Sequence, residues 1–234
     1  MRAAWLLVLA ACGSDGAHVA DSPIPSLEPH GDASVDSTPD ANVDAAPNMP
    51  DLMLEADEMT GTVVVTDDTF TAGDCEIAEG CVGAPGTRRL LRFDAVTSNR
   101  GATDFVLGPV PPNGESNDTF IWSVCHMHHH VRDYAEYDLL DSNGAILVTG
   151  RKQAFCLEDV EQVNPASPGT GYTCMIQGIS HGWADVYSRY LPCQWIDVTD
   201  VPSGQYTLRV TVNPTQRYPE ANYDNDTFTM PVSL

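Results

Sequence analysis

Short apolar runs that alternate with polar residues are the feature that most constrains the fold of this 234-residue chain. The clearest run is 206–212, in which Tyr206, Leu208, Val210 and Val212 alternate with polar side chains. Period-two alternation predicts a strand with one buried face and one face in water. Because no segment shows a convincing helical periodicity, the pattern predicts a mainly β fold.

Other short apolar runs are separated by residues that favour turns, such as Asp-Ser-Asn-Gly at 141–144 and Pro-Ser-Gly at 202–204. Several short strands joined by long loops are typical of a β-sandwich. We therefore expect a β-sandwich with long disulfide-linked loops and little helix. Its further strands are predicted at 62–66, 90–93, 121–124, 137–140 and 145–148.

The first twelve residues have the composition of an export signal, with Arg2 followed by a short apolar stretch and Cys12. Leu-Ala-Ala-Cys resembles the lipobox of bacterial lipoproteins, which implies cleavage before Cys12 and lipidation of its thiol. An ordinary signal peptide is the alternative. No later apolar run approaches the roughly 18 residues that span a bilayer, so we expect a secreted protein, lipid-anchored to the bacterial cell envelope or surface only through its N-terminus.

Residues 13–49 are rich in Asp, Ser, Pro, Ala and Gly and contain no Lys or Arg. Such a segment cannot bury enough apolar surface to offset the entropy of ordering its backbone. We predict an acidic, disordered tether at 13–49 and a folded domain at 50–234.

The chain carries 33 acidic and 11 basic side chains, a formal charge of −22. This balance excludes a general nucleic-acid binder, because phosphate contacts need clustered Lys and Arg. It favours a cationic or amine-bearing partner. The chain has a single lysine, Lys152.

Six cysteines remain after Cys12, and an even number in an exported domain predicts three disulfides. A zinc site is the alternative, although no Cys-x-x-Cys occurs. Spacing alone leaves the pairing open among Cys75, Cys81, Cys125, Cys156, Cys174 and Cys193.

Residues 125–130 read Cys-His-Met-His-His-His. In an extended segment His126, His128 and His130 share one face. Three imidazoles suit Cu(II) or Zn(II) and leave coordination positions open for water or oxygen. A flat strand would place the first and third about 13 Å apart, so a shared metal requires the segment to arch or bulge. A histidine-rich surface stretch without function is the alternative.

Five sequence blocks lie at 126–130, 137–140, 152–159, 193–201 and 212–214. In order and spacing they resemble the catalytic domain of the lysyl oxidases in a bacterial form. The resemblance implies a copper-dependent amine oxidase of the protein-lysine 6-oxidase type. Such an enzyme uses oxygen to convert primary amines, from peptidyl lysine or small amines, into aldehydes with release of ammonia and hydrogen peroxide.

The resemblance also implies individual roles. The three histidines of the triad would bind copper, and Lys152 and Tyr187 would be joined into lysine tyrosylquinone (LTQ). Asp185, two residues before Tyr187, is our candidate for the base that removes the substrate proton, with a structural or solvated Asp as the alternative. An enzyme whose cofactor acts as the electron sink needs only position, base and metal from the protein.

A calcium site is implied as well, with oxygen donors of the type that calcium prefers; a solvated acidic turn is the alternative. It would join the beginning of the domain to its end. Its residues are Asp51, the carbonyl of Leu52, Glu220, Asn222, Asn225 and Asp226.

For the disulfides, the resemblance implies two bridges, and the two cysteines that lack their familiar partners are predicted to pair with each other. The predicted pairs are Cys75 with Cys81, Cys125 with Cys174, and Cys156 with Cys193.

The chain departs from the family pattern at Arg151, Ser123 and His129, while His181 is an extra histidine that could serve as a ligand or base or lie at the surface. Two other functions stay open: a copper-binding surface lipoprotein without turnover, and a calcium-stiffened adhesion module. For an oxidase on a cell surface, lysines of neighbouring surface proteins or small amines are the expected substrates.

Overall fold

A computed structural model describes residues 48–150, 155–168 and 171–234. Within these ranges the protein is mainly β with two single-turn helices, which confirms the predicted fold class. The helices are α1 (Ala56–Met59) and α2 (Cys75–Ala78). The strands are β1 (Leu52–Leu54), β2 (Val64–Phe70), β3 (Gly86–Arg92), β4 (Ala95–Asn99), β5 (Phe105–Pro109), β6 (Phe120–Ser123), β7 (His128–Val131), β8 (Ala135–Leu140), β9 (Ile146–Gly150), β10 (Glu161–Gln162), β11 (Ile176–Ile179), β12 (Trp183–Tyr187), β13 (Trp195–Asp197), β14 (Gln205–Val212) and β15 (Thr227–Ser233).

Two four-stranded sheets enclose the main core, with strand orders β1-β4-β12-β10 and β15-β14-β8-β9. Ala184 and Tyr187 of the first sheet share one buried cluster with Leu208 and Val210 of the second. Smaller sheets, β13-β3-β2, β11-β5 and β6-β7, lie around this sandwich. The neighbouring strands within every sheet are antiparallel.

Strand β14 shows the predicted alternation, because Leu208, Val210 and Val212 are buried while the residues between them are partly exposed. The predicted turn at 141–144 joins β8 to β9. In it the Asp141 carboxylate accepts hydrogen bonds from the backbone N–H groups of Asn143 and Ala145, each at 2.8 Å.

Strand β4 is buried along its whole length although three of its five residues are polar. The Asn99 side chain donates to the carbonyls of Thr103 (2.8 Å) and Ile179 (3.0 Å), and it accepts from the Asp51 N–H (3.0 Å). A buried amide with these partners replaces the contacts with water that it loses on folding. Because two of these partners, Asp51 and Ile179, are distant in the sequence, local alternation could not reveal this strand.

The three disulfides are confirmed, but the predicted pairing is wrong. Cys75 is the first residue of α2, and Cys81 lies three residues after the helix ends. Each forms a disulfide with a different, distant part of the chain. The N-terminal cysteine of α2 meets the β6–β7 turn, while Cys81 is buried in a small apolar cluster with Trp195. The observed pairs are Cys75–Cys125, Cys81–Cys193 and Cys156–Cys174, with Cα separations of 5.5, 5.3 and 4.8 Å.

The predicted signal peptide, Cys12 and nearly all of the predicted tether lie outside the described residues. Among the helices that the described ranges contain, none is long and apolar enough to cross a membrane.

Candidate metal centre

A β-hairpin brings together the three histidines that the sequence singled out. Strands β6 and β7 pair with His130 opposite Ile121 and His128 opposite Ser123. His126 lies in the turn before β7, where Met127 adopts a left-handed conformation (φ 57°). The ring centroid of His126 lies 5.6 Å from that of His128 and 5.6 Å from that of His130. The centroids of His128 and His130 are 4.9 Å apart. The chain therefore turns at Met127, which brings the three ring centroids within 5.6 Å of one another.

The Nε2 atoms of His128 and His130 are 3.1 Å apart. Metal–nitrogen bonds of about 2.0 Å at tetrahedral or square angles place two ligand nitrogens about 2.8–3.3 Å from each other. Burial, followed by the neighbouring His130 and His126, lowers the pKa of His128 to about 4. A neutral imidazole is the form that binds a metal, so this pair of donors fits a copper ion.

His126 is held by a carboxylate that no sequence pattern had singled out. Its Nε2 lies 2.9 Å from Oε2 of Glu79, and the other carboxylate oxygen accepts a 2.6 Å hydrogen bond from the Ser123 hydroxyl. Glu79 also lies near the sulfurs of Cys81 and Cys193. Those sulfurs form a disulfide and so are not thiolate ligands.

The remaining histidine of the segment, His129, projects to the opposite side of β7. Its ring packs edge-on against Trp122 with centroids 4.9 Å apart. Its Nε2 lies 3.0 Å from the Glu115 carbonyl oxygen. His181 contacts the carbonyl of Gly101 through its ring and Asp104 through its backbone N–H, which places its ring against a surface loop.

Phe155 connects the histidine triad to Tyr187. Its ring centroid lies 5.5, 4.8 and 5.8 Å from those of His126, His128 and His130. Its carbonyl oxygen accepts a hydrogen bond from the Tyr187 hydroxyl at 3.2 Å. Phe155 thus lies in space between the Tyr187 phenol and the triad and contacts both. Lys152 and Arg151 lie outside the described residues.

Tyr187 and Asp185 project from the same face of β12, two residues apart, and both are buried. Burial, and next the charge of Asp185, raises the pKa of Tyr187 well above its usual value near 10. The neighbouring Tyr134 is also buried, and the same two causes raise its pKa. The phenol of Tyr187 is therefore protonated at neutral pH, and a carboxylate lies close to it.

A cavity of about 170 Å³ opens beside Tyr187. Glu158 lies in its wall, and burial followed by the charge of Asp159 raises the pKa of Glu158. A carboxylate in such a wall would attract the ammonium group of an amine. The other lining residues are Phe155, Cys156, Val160, Cys174, Asp185, Val186 and Leu191.

A second cluster, of carboxylates, joins the two ends of the domain. Oε2 of Glu220 accepts the Leu52 N–H at 2.8 Å, and Nδ2 of Asn225 lies 3.3 Å from Oδ1 of Asp51. The Asn222 side chain accepts instead from the Asp224 N–H at 3.0 Å.

Like charges meet in this carboxylate cluster. Burial, followed by the charge of Glu220, raises the pKa of Asp226 to about 8. Burial also raises the pKa values of Glu220 and Asp51. Oδ1 of Asp226 and Oδ1 of Asn225 are buried without a hydrogen-bond partner among the described residues. Converging oxygen donors of this type fit calcium.

The family of this chain follows from comparison with known proteins. A family model described as Lysyl oxidase matches residues 50–233. Lysyl oxidase homolog 2 is 36% identical over 198 residues in both Mus musculus and Homo sapiens, and lysyl oxidase homolog 4 of Homo sapiens is 34% identical over 198 residues. The chain belongs to the lysyl oxidase family.

These alignments cover 80% of this chain, but 24% of homolog 2 and 25% of homolog 4. The chain therefore spans about a quarter of the length of the curated relatives it matches. Among solved structures, a CARDB domain from Pyrococcus furiosus in complex with di-metal ions matches with 13% identity, covering 80% of this chain and 90% of that one. Its TM-score of 0.30 is too low to define a shared fold.

Proposed function

We propose that this protein is a copper-dependent amine oxidase that converts primary amines to aldehydes, with release of ammonia and hydrogen peroxide. Membership of the lysyl oxidase family supports a function of the copper amine oxidase type. One observation carries the proposal. The ring of Phe155 contacts the histidine triad, and the carbonyl of the same residue accepts a hydrogen bond from Tyr187.

In this proposal the three imidazoles of the triad hold copper. Lys152 and Tyr187 are the precursors of LTQ. The metal would supply redox chemistry with oxygen, and the quinone would supply an electron sink for the amine.

The protein's own groups position the reactants and move protons. The Phe155 carbonyl orients the Tyr187 hydroxyl, and the Phe155 ring excludes water from one side of the triad. Asp185, buried beside Tyr187, is the proposed acceptor of the substrate proton. Glu158 would bind the ammonium group of an entering amine in the cavity beside Tyr187.

The proposed substrates are peptidyl lysines of cell-surface proteins or small primary amines, since export and lipidation at Cys12 would place the enzyme at the cell envelope. Calcium at the carboxylate cluster is a separate proposed cofactor. Its role would be structural, because the cluster joins the Leu52 backbone to Glu220.

The decisive experiment is peptide mapping of the full chain after incubation with Cu(II) in air. We expect a covalent link between Lys152 and Tyr187, visible quinone absorption, and hydrogen peroxide when a primary amine is added. Tyr187→Phe should abolish all three. The matched control Tyr190→Phe should not, because Tyr190 is 79% exposed.

A wild-type protein that binds copper through the triad but forms neither crosslink nor peroxide would contradict the proposal. That result would leave a copper-binding protein without turnover.

A further inference from the structure

Glu79 has a position that family membership does not assign. Its side chain and that of His126 are each only 13% exposed. One carboxylate oxygen lies 2.9 Å from Nε2 of His126, and the other accepts from the Ser123 hydroxyl at 2.6 Å. The Ser123 oxygen in turn accepts the backbone N–H of His126 at 3.0 Å. Glu79 and Ser123 thus hold both the ring and the backbone of this histidine.

The chemistry of the contact defines which nitrogen of His126 can bind a metal. Nε2 of His126 is engaged by the Glu79 carboxylate, so Nδ1 is the ring nitrogen left to face a metal. Outer hydrogen-bond partners of metal-binding histidines fix the tautomer and the ring orientation in this way.

We propose that Glu79 is a positioning residue of the copper site, which fixes the tautomer and orientation of His126 and is not itself a copper ligand. This inference rests on the proposed copper-binding role of the triad.

The covalent structure keeps the carboxylate in place. Glu79 follows α2, and the helix begins at Cys75, which is linked to Cys125, the residue before His126. Two residues after Glu79, Cys81 is linked to Cys193. Bridges on both sides of Glu79 restrict its backbone, so a hydrogen bond to His126 costs little additional conformational entropy.

The first test is Cu(II) affinity, measured on the full chain by competition with a chelator of known affinity. Glu79→Gln should weaken copper binding by about 10–100-fold, the usual cost of losing such a partner. Glu79→Asp should recover part of the loss, because it retains the charge. Glu76→Gln is the matched control, since it makes the same charge change on the same helical turn, and its affinity should equal that of wild type.

A double-mutant cycle separates positioning from a general effect on folding. In a His126→Ala background, Glu79→Gln should cause no further loss of copper affinity. Ser123→Ala, which removes one partner of the carboxylate, should weaken binding by a smaller factor. Disulfide mapping and near-ultraviolet circular dichroism of each variant show whether the fold is retained.

Electron paramagnetic resonance distinguishes a positioning residue from a ligand. At saturating copper, Glu79→Gln should keep the wild-type pattern of nitrogen couplings and the wild-type g values. A spectrum that shows the loss of an oxygen donor would make Glu79 a ligand and overturn the proposal.

The positioning role would also be overturned if Glu79→Gln bound Cu(II) as tightly as wild type. The same holds if Glu79→Gln weakened Cu(II) binding equally in the His126→Ala background. Either result would leave the copper site itself intact. If His128→Ala and His130→Ala bind copper as tightly as wild type, the copper site itself fails, and the role of Glu79 fails with it.

Discussion

The two candidate metal sites of this protein are assembled in opposite ways. The histidine triad lies within five consecutive residues of one hairpin, whereas the carboxylate cluster joins Asp51 to Asp226 across nearly the whole domain. The triad consists of imidazole donors, and burial lowers the pKa of His128. The cluster consists of acids, and burial raises the pKa of Asp226.

This difference in charge assigns different tasks to the two sites. Neutral imidazoles on a hairpin can be held together without a cation, so the triad should contribute little to the stability of the metal-free protein. Carboxylates that converge in a buried site repel each other unless protons or a cation neutralise them. Cation binding at the carboxylate cluster should therefore stabilise the fold, whereas metal binding at the triad should serve catalysis.

The largest expected effect is the loss of a triad ligand. His130→Ala should reduce Cu(II) affinity by more than the roughly 10–100-fold that loss of an outer hydrogen-bond partner causes. It should also abolish amine-dependent peroxide. Calcium-dependent thermal stabilisation should persist in this variant, because the two sites share no residue. Chelator competition and a peroxide assay measure the copper effects, and loss of the calcium response would show that the sites are coupled.

The next effect is on stability. Calcium at about 100 times its dissociation constant should stabilise the fold by about 2.7 kcal/mol. For a domain of this size, that corresponds to a rise in Tm of about 5–10 °C. Asp226→Asn should remove the response, whereas Asp224→Asn should retain most of it, because Asp224 is exposed. A wild-type Tm that is the same with calcium and with chelator would contradict the calcium site.

The same contrast explains what could be predicted from sequence. The triad and the strand β14 were identified because their patterns are local. Strand β4 was missed because its buried polar residue Asn99 has partners at Thr103 and Ile179. The residues proposed to bind calcium were predicted only through resemblance, since no local pattern connects Asp51 to the other end of the domain.

The disulfide pairing also could not be predicted from local patterns, and the wrong pairing concealed a contact of the histidine triad. The pairing of Cys75 with Cys125 and of Cys81 with Cys193 brings Glu79 to His126. Because Cys75 was predicted to pair with Cys81, no sequence pattern connected Glu79 with the triad. Phe155 and Glu158 were likewise missed, because their roles depend on how the chain after residue 154 packs against β7 and β12.

The pH dependence of the metal-free protein tests the carboxylate cluster further. The folded-state pKa of Asp226 is raised to about 8, above its unfolded value of about 3.9. Between these values the folded state binds more protons, so stability falls as pH rises. We expect a loss of about 2 kcal/mol between about pH 6 and 8, or about 4–8 °C in Tm.

Thermal melts in chelator across this pH range measure the effect. Calcium should flatten the dependence by replacing the proton, and Asp226→Asn should flatten it without calcium. A metal-free Tm that rises with pH over the same interval would be contrary to the proposed like-charge cluster.

The smallest expected effect separates the general field of the protein from the local charge of its cavity. With a formal charge of −22, the surface should attract cationic amines, and kcat/KM should fall a few-fold as ionic strength rises, since the Debye length shortens to about 8 Å at 0.15 M salt. Glu158 is partly buried beside Tyr187, and partly buried charges are screened much less than exposed ones. Glu158→Gln should therefore lower kcat/KM at every salt concentration without changing the slope against ionic strength. If the slope disappears in Glu158→Gln, the attraction arises in the cavity, and the exposed acids of the surface do not guide the substrate.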